Sequence, residues 1–270
     1  MAGSAPTSRL TGWVRSPFGA AGQSHDCYQK GSGPGVVLLP EVPGITPEVL
    51  GLAEHLVEQG FTVVVPSPFG VRGRSARAGY ATAVLARLCV SSEFRAFATR
   101  AERPFTAYLR ALARDLADRT PGRGVGVIGM CFTGGFALAA AVDDAVTAPV
   151  VSQPFLPVPL TSGRRRDPGV SDAELSRIVA RTSDEGLCLL GLRFSQDGAS
   201  PADRFAVLRE HLGAAFEVIE LDSSPGNRAG FGRRAHSVLT DELREQPGHP
   251  ALAARRRVVE FLRERLAPTP

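Results

Sequence analysis

The chain has 270 residues, 43% of them hydrophobic, with a formal net charge of +4. That length can bury a large core, in one α/β domain or two small ones, and no apolar run reaches the roughly 18 residues of a membrane span. The four cysteines, Cys27, Cys89, Cys131 and Cys188, lie far apart without metal-ligand spacing, which argues against a zinc site and against a disulfide framework. The opening segment has no apolar core of the kind that marks a signal peptide, so the expected location is cytoplasmic. The basic balance does not point to nucleic acid. Lys30 is the sole lysine, and the arginine runs lack interleaved aromatics and lie near acidic residues or helix ends, as solvated surface does.

Taken in order, the elements alternate between strand and helix. Val36–Leu39 is a short apolar run ending at Pro40 and Glu41. Residues 47–59 carry Val49, Leu52, Ala53, Leu56 and Val57 on one helical face, with Gly60 as the stop. Phe61–Val65 reads as a buried strand, and residues 76–90 and 104–118 as helices. An apolar strand then ends at Met130 and is followed by a small-residue helix over 136–142. Residues 148–151, 187–194 and 216–221 read as strands, and residues 171–182, 201–212 and 250–266 as helices, with a Pro/Gly/Arg-rich loop before the first of these. Apolar strands separated by helices predict a mostly parallel, doubly wound sheet covered on both faces. The division expected is an extension over residues 1–34 and one domain over 35–270, with residues 70–103, rich in arginine, alanine and aromatics, forming a partial cap or simple packing.

The densest signal is Gly129-Met130-Cys131-Phe132-Thr133-Gly134-Gly135. A strand that runs through such a segment straight into a helix is the layout of a nucleophile elbow, whose sharp turn lifts one side chain clear of the sheet. The lifted residue here is Cys131, at a helix N-terminus that favours the nucleophilic thiolate. A lone cysteine is more often a small core hydrophobe, and it is the strand–turn–helix context that reverses this. Reactive groups in such sheets gather at the carboxyl ends of strands. Glu41, Cys131, Gln153 and Asp197 all stand there, and His236 lies in a loop between the last strand and the last helix. Asp197 competes with a role as helix cap and with Asp203 as the acid, and Glu41 with a plain solvent-facing strand end.

With these residues in place the chain resembles the dienelactone hydrolase family of α/β-hydrolases, across roughly residues 35–266. The resemblance is carried by the cysteine elbow, by Glu41 at the end of the first core strand, by Asp197-Gly-Ala-Ser-Pro201, and by His236-Ser237. It implies an α/β-hydrolase fold in which Cys131 is the nucleophile, His236 the general base and acid, and Asp197 the carboxylate that orients the imidazole. The backbone N–H groups of Val42 and Phe132 would form the oxyanion hole. Glu41 would approach the thiol and help it ionise when substrate enters, and before that its charge would keep the thiol protonated. Three positions depart from the family pattern. Thr133 replaces an elbow glycine, Thr240 stands where well-known members carry an anion-binding arginine, and Arg72 is one residue out of register with a second. Arg72 and Gln153 are kept as candidate substrate contacts.

The expected activity is hydrolysis of a small-molecule ester or lactone by acyl transfer, with no metal and no organic cofactor, no nucleic-acid or membrane partner, and a monomeric or homodimeric state. Two alternatives use the same scaffold: an isomerase, dehydratase or cyclase of specialised metabolism, and a non-catalytic ligand binder.

Overall fold

The computed structural model describes residues 4–95, 97–98, 100–156 and 161–267. Its strands are β1 (Val14–Ala20), β2 (Gln23–Lys30), β3 (Gly35–Leu39), β4 (Thr62–Pro66), β5 (Val125–Met130), β6 (Val146–Ser152), β7 (Leu189–Phe194) and β8 (Phe216–Leu221). They form one eight-stranded sheet in the order β1-β2-β4-β3-β5-β6-β7-β8. The β4-to-β8 portion is parallel throughout, while β1 and β2 are added antiparallel at one edge.

Side-chain alternation along β3 shows how the layers are built. Val36 and Leu38 enter a core shared with α1 (Pro47–Glu58) and α8 (Pro250–Leu266), whereas Val37 and Leu39 enter a second core with α3 (Pro104–Arg119) and α4 (Gly134–Ala140). Both faces are therefore covered, which is why the central strands β3 and β5 are buried and apolar along their whole length. A third core joins α4 to α6 (Asp172–Asp184) and α7 (Ala202–Leu212). Local signals set the helix ends. Thr46 caps α1 by accepting the Val49 N–H at 3.3 Å, with Pro47 in the first turn. Ser171 and Glu174 form a reciprocal capping box at the start of α6. Residues 78–90 form α2 (Ala78–Val90), and the Pro/Gly/Arg-rich loop contains a short helix, α5 (Ser162–Arg166); residues 157–160 of that loop lie outside the described residues.

The expectation that residues 1–34 lie outside the domain is corrected. Residues 14–30 are a hairpin of the main sheet, with Cys27 opposite Pro66 of β4. An edge hairpin packs only partly on the core, so its strands mix Asp26, His25 and Gln29 with apolar residues and show no continuous apolar run. Its turn is Ala21-Gly22, both at positive φ (51° and 75°), a two-residue loop without the usual Asn-Gly signature. Among the described residues no helix is long and apolar enough to cross a membrane.

Candidate active site

β5 ends at Met130, and Cys131 follows at φ 53°, a left-handed conformation that costs a non-glycine residue of order 1–3 kcal/mol and persists only where the surroundings enforce it. The enforcement is visible. Cys131 opens a single 3-10 turn that runs directly into α4. A Cβ on Gly129 would lie 2.4 Å from the Thr133 carbonyl oxygen and 2.8 Å from the Ala137 Cβ, so the strand and helix approach as closely as they do only because this residue is glycine. Gly134 is held in the same way against Pro154, whose Cα would stand 2.8 Å from an added Cβ. The Phe155 N–H also donates to the Cys131 carbonyl at 2.9 Å, tying the elbow to the segment after β6.

Thr133, at the usual glycine position, is accommodated by turning its hydroxyl inward. Its Oγ1 accepts the Met130 N–H at 3.0 Å and lies 2.9 Å from the Met130 carbonyl, and the residue is fully buried. The extra side chain thus closes the turn rather than crowding it.

Asp197, in the turn after β7, is buried, and its two oxygens have separate tasks. Oδ1 accepts the N–H groups of Ala199 (2.9 Å) and Ser200 (3.3 Å), fixing the turn, while Oδ2 is 2.6 Å from His236 Nδ1. The α7 N-cap is Pro201 and has no side-chain cap bond, so Asp197 is not the helix cap. Its rival Asp203 is half-exposed and pairs with Arg165 at 2.7 Å. The Cys131 sulphur acts on the same imidazole from the elbow. Burial works against a charged His236, but its interactions with the Cys131 sulphur and the Asp197 side chain outweigh it and hold the imidazole well above its ordinary value of 6.5. Cys131 and Asp197, each just past a strand end, and His236, from the loop between β8 and α8, are thus one cluster.

The turn after β3 supplies the other side of the cluster. The Val42 N–H makes no backbone hydrogen bond among the described residues, and Phe132 lies in the first turn after the elbow, where N–H groups lack intrahelical partners. Glu41 is buried, and its hydrogen bonds run to the histidine loop. Thr240 donates to Oε1, Ser237 donates to Oε2 at 2.8 Å, and Gln153 Nε2 donates to Oε2 at 3.3 Å. Among the described residues none of these bonds goes to Cys131; the Glu41 oxygens are engaged by Ser237, Thr240 and Gln153 instead. Burial pushes the Glu41 carboxyl above its ordinary range, against the lowering effect of the Thr240 and Ser237 hydroxyls.

Gln153 is therefore beside the cluster, through Glu41; Arg72 is not. Its guanidinium pairs with Asp26 at 2.9 Å and lies over the Tyr28 ring, on β2, two strands away from β3. A sequence register cannot reveal this, because Asp26 belongs to the hairpin set aside as an extension. In the 70–103 segment, Phe94 is buried and packs on Phe132 and Phe136, with ring centroids 5.6 Å and 5.8 Å apart, whereas Phe97 remains exposed. Two further residues went unmarked by sequence reasoning. Arg204 is fully buried, with Nε and Nη1 each donating at 2.6 Å to the carbonyls of Asp167 and Pro154, and burial lowers it to about 10. Arg103 is also buried, and donates to the Gly169 carbonyl. Together they hold the chain between β6 and α6 against the elbow.

The chain is similar to several known proteins. The dienelactone hydrolase family model matches residues 25–266. A carboxymethylenebutenolidase of Rhodococcus opacus is 26% identical over 243 residues, covering 88% of this chain and 83% of its own. Among solved structures, a dienelactone hydrolase-like promiscuous phosphotriesterase from metagenomic libraries superposes with a TM-score of 0.62 at 15% identity, covering 94% of this chain and 98% of that one. An α/β serine hydrolase without a lid from Xanthomonas campestris gives 0.54 at 14% identity, covering 96% and 97%. The two structural likenesses speak for the α/β-hydrolase fold, and the family match goes further: the chain belongs to the dienelactone hydrolase family and is a hydrolase acting on ester bonds.

Proposed function

We propose that the protein cleaves a carboxylic ester or lactone by acyl transfer through a Cys131–His236–Asp197 triad. The observation that carries this reading is the 2.6 Å contact between His236 Nδ1 and Asp197 Oδ2, made by an imidazole that also interacts with the strained elbow cysteine. The Cys131 thiolate attacks the carbonyl carbon while His236 is protonated. The carbonyl oxygen takes up the negative charge against the Val42 and Phe132 N–H groups. The tetrahedral intermediate collapses as His236 Nε2–H protonates the leaving oxygen, which leaves an acyl-thioester on Cys131. Neutral His236 then takes a proton from water, the resulting hydroxide attacks the thioester, and the acid leaves as the thiolate and imidazolium return. Asp197 fixes the tautomer and stabilises the imidazolium. Glu41 is a positioning residue, coupling the oxyanion turn to the histidine loop through Ser237 and Thr240. No arginine or lysine hydrogen-bonds Glu41 among the described residues, which supports a substrate without a carboxylate at that point.

The test is turnover of p-nitrophenyl acetate and mass analysis of the trapped enzyme. Cys131→Ala should lower kcat by about 10³-fold or more while leaving the far-UV spectrum intact. An acyl adduct should appear on the Cys131 peptide of the wild type after acid quench. Full turnover by Cys131→Ala, or an adduct elsewhere, refutes the assignment.

A further inference from the structure

Near the elbow lies a cavity of about 300 Å³ between α2 and the segment after β4, lined mainly by Phe69, Tyr80, Val84, Leu88 and Phe94, with Arg87 and Glu93 as its charged lining. Cavities of this size with mostly apolar walls are where ligands are held. Two of its walls are shared with the candidate active site. Phe69 and Phe94 each pack on Phe132, the residue after the nucleophile, with ring centroids 6.2 Å and 5.6 Å away, and on each other at 5.9 Å. The loop bearing Phe69 is also pressed onto the oxyanion turn, since a Cβ on Gly70 would stand 1.9 Å from the Pro43 carbonyl oxygen. Phe69 itself is half-buried, standing between solvent, the cavity and the Phe132 ring. The side chains that hydrogen-bond Glu41 are the uncharged Ser237, Thr240 and Gln153, and Arg72 is committed to Asp26.

We infer that this cavity takes the apolar acyl chain of the substrate, so that the enzyme acts on esters of uncharged, aliphatic or aryl-alkyl acids. The inference rests on the acyl-transfer reading for the place of the scissile carbonyl. The acyl carbon bonded to Cys131 lies beside Phe132, and the chain extending from it reaches the cavity along Phe69 and Phe94. Burying each methylene in such walls is worth about fourfold in specificity.

The experiment measures kcat/KM on p-nitrophenyl acetate, butanoate, hexanoate, octanoate and decanoate. The wild type should gain about fourfold per methylene until the cavity is full. Val84→Phe, which fills it, should collapse the hexanoate-to-acetate ratio, and Leu88→Ala, which widens it, should move the optimum to a longer chain. If Val84→Phe does not fold, Leu88→Ala decides alone. A second measurement does not need turnover: N-hexyl iodoacetamide should alkylate Cys131 faster than iodoacetamide, and Val84→Phe should erase that advantage. A flat acyl series with equal alkylation rates overturns the inference, as does chain-length dependence confined to the alcohol side of the ester. Absence of turnover on every ester, with the alkylation preference intact, sinks the acyl-transfer reading and leaves the cavity assignment standing.

Discussion

At the residue scale, the candidate site is a set of side chains whose partners were chosen by burial. Asp197 is removed from water, yet both oxygens are satisfied, one by its own turn and one by His236. Asp203 has an arginine partner and half its surface in solvent, so removing its charge disturbs only a weak surface pair. Asp197→Asn should therefore lower kcat by roughly 10⁴-fold, as when other triad carboxylates are neutralised, while Asp203→Asn stays near wild type. Steady-state kinetics on one ester checks both, and the opposite pattern would reassign the acid. The elbow motif and His236 were legible in the sequence because strand, turn and helix signals are local. The partners of Glu41 were not. Ser237 and Thr240 meet it across 196 and 199 residues, and no periodicity predicts that their hydroxyls, rather than the Cys131 thiol, take up its oxygens.

At the element scale, the turn after β3, to which we assign the Val42 N–H of the oxyanion hole, is held by the loop after β4. The loop after β4 crosses the turn after β3 so closely that Gly70, at φ 76°, has no room for a side chain. Gly70→Ala adds the cost of a left-handed non-glycine residue, about 1–2 kcal/mol, and also drives the Pro43 carbonyl away, moving the Val42 N–H with it. Gly73 is the matched control. Its φ is 70°, but an added Cβ meets nothing within 4 Å, so Gly73→Ala should show the backbone strain alone. Chemical denaturation should find both variants destabilised, while kcat should fall steeply only in Gly70→Ala. Equal kcat in the two variants would mean that the Pro43 contact does not position the turn.

For the whole molecule, two titratable groups, buried Glu41 and partly buried His236, link stability to pH in the same direction. The Glu41 carboxyl is raised in the folded state, chiefly by burial, above an ordinary value of 4.5. The folded protein then holds this proton more tightly than the unfolded chain, so stability falls as pH rises from 4.5 through the raised folded value. His236 is also raised, so its contribution is fully present below its ordinary 6.5 and is lost as pH climbs through the folded value. Glu41→Gln removes the first effect and keeps the shape, since the Ser237 and Thr240 hydroxyls can reverse to accept. Thermal unfolding across pH should show wild type and Glu41→Gln alike below about 4.5, with the variant gaining on the wild type above it. A difference that does not vary with pH would mean that Glu41 ionises in the folded protein as it does unfolded.

What the sequence determined by itself follows from short-range physics. Apolar runs with helices between them dictate a parallel sheet covered on both faces, and the glycines around Cys131 dictate a turn that strains it. That was enough to anticipate the α/β-hydrolase fold and the sharp turn at Cys131. Only the tertiary structure decided the rest. It joined residues 14–30 to the sheet, since an edge hairpin needs apolar residues on only part of its surface. It drew Arg72 to Asp26, turned Glu41 to the histidine loop, and brought Phe69 and Phe94 together on Phe132. Each of these is a pairing between elements distant in the chain, settled by which charge or apolar face the packed sheet leaves within reach, and no local pattern carries that information.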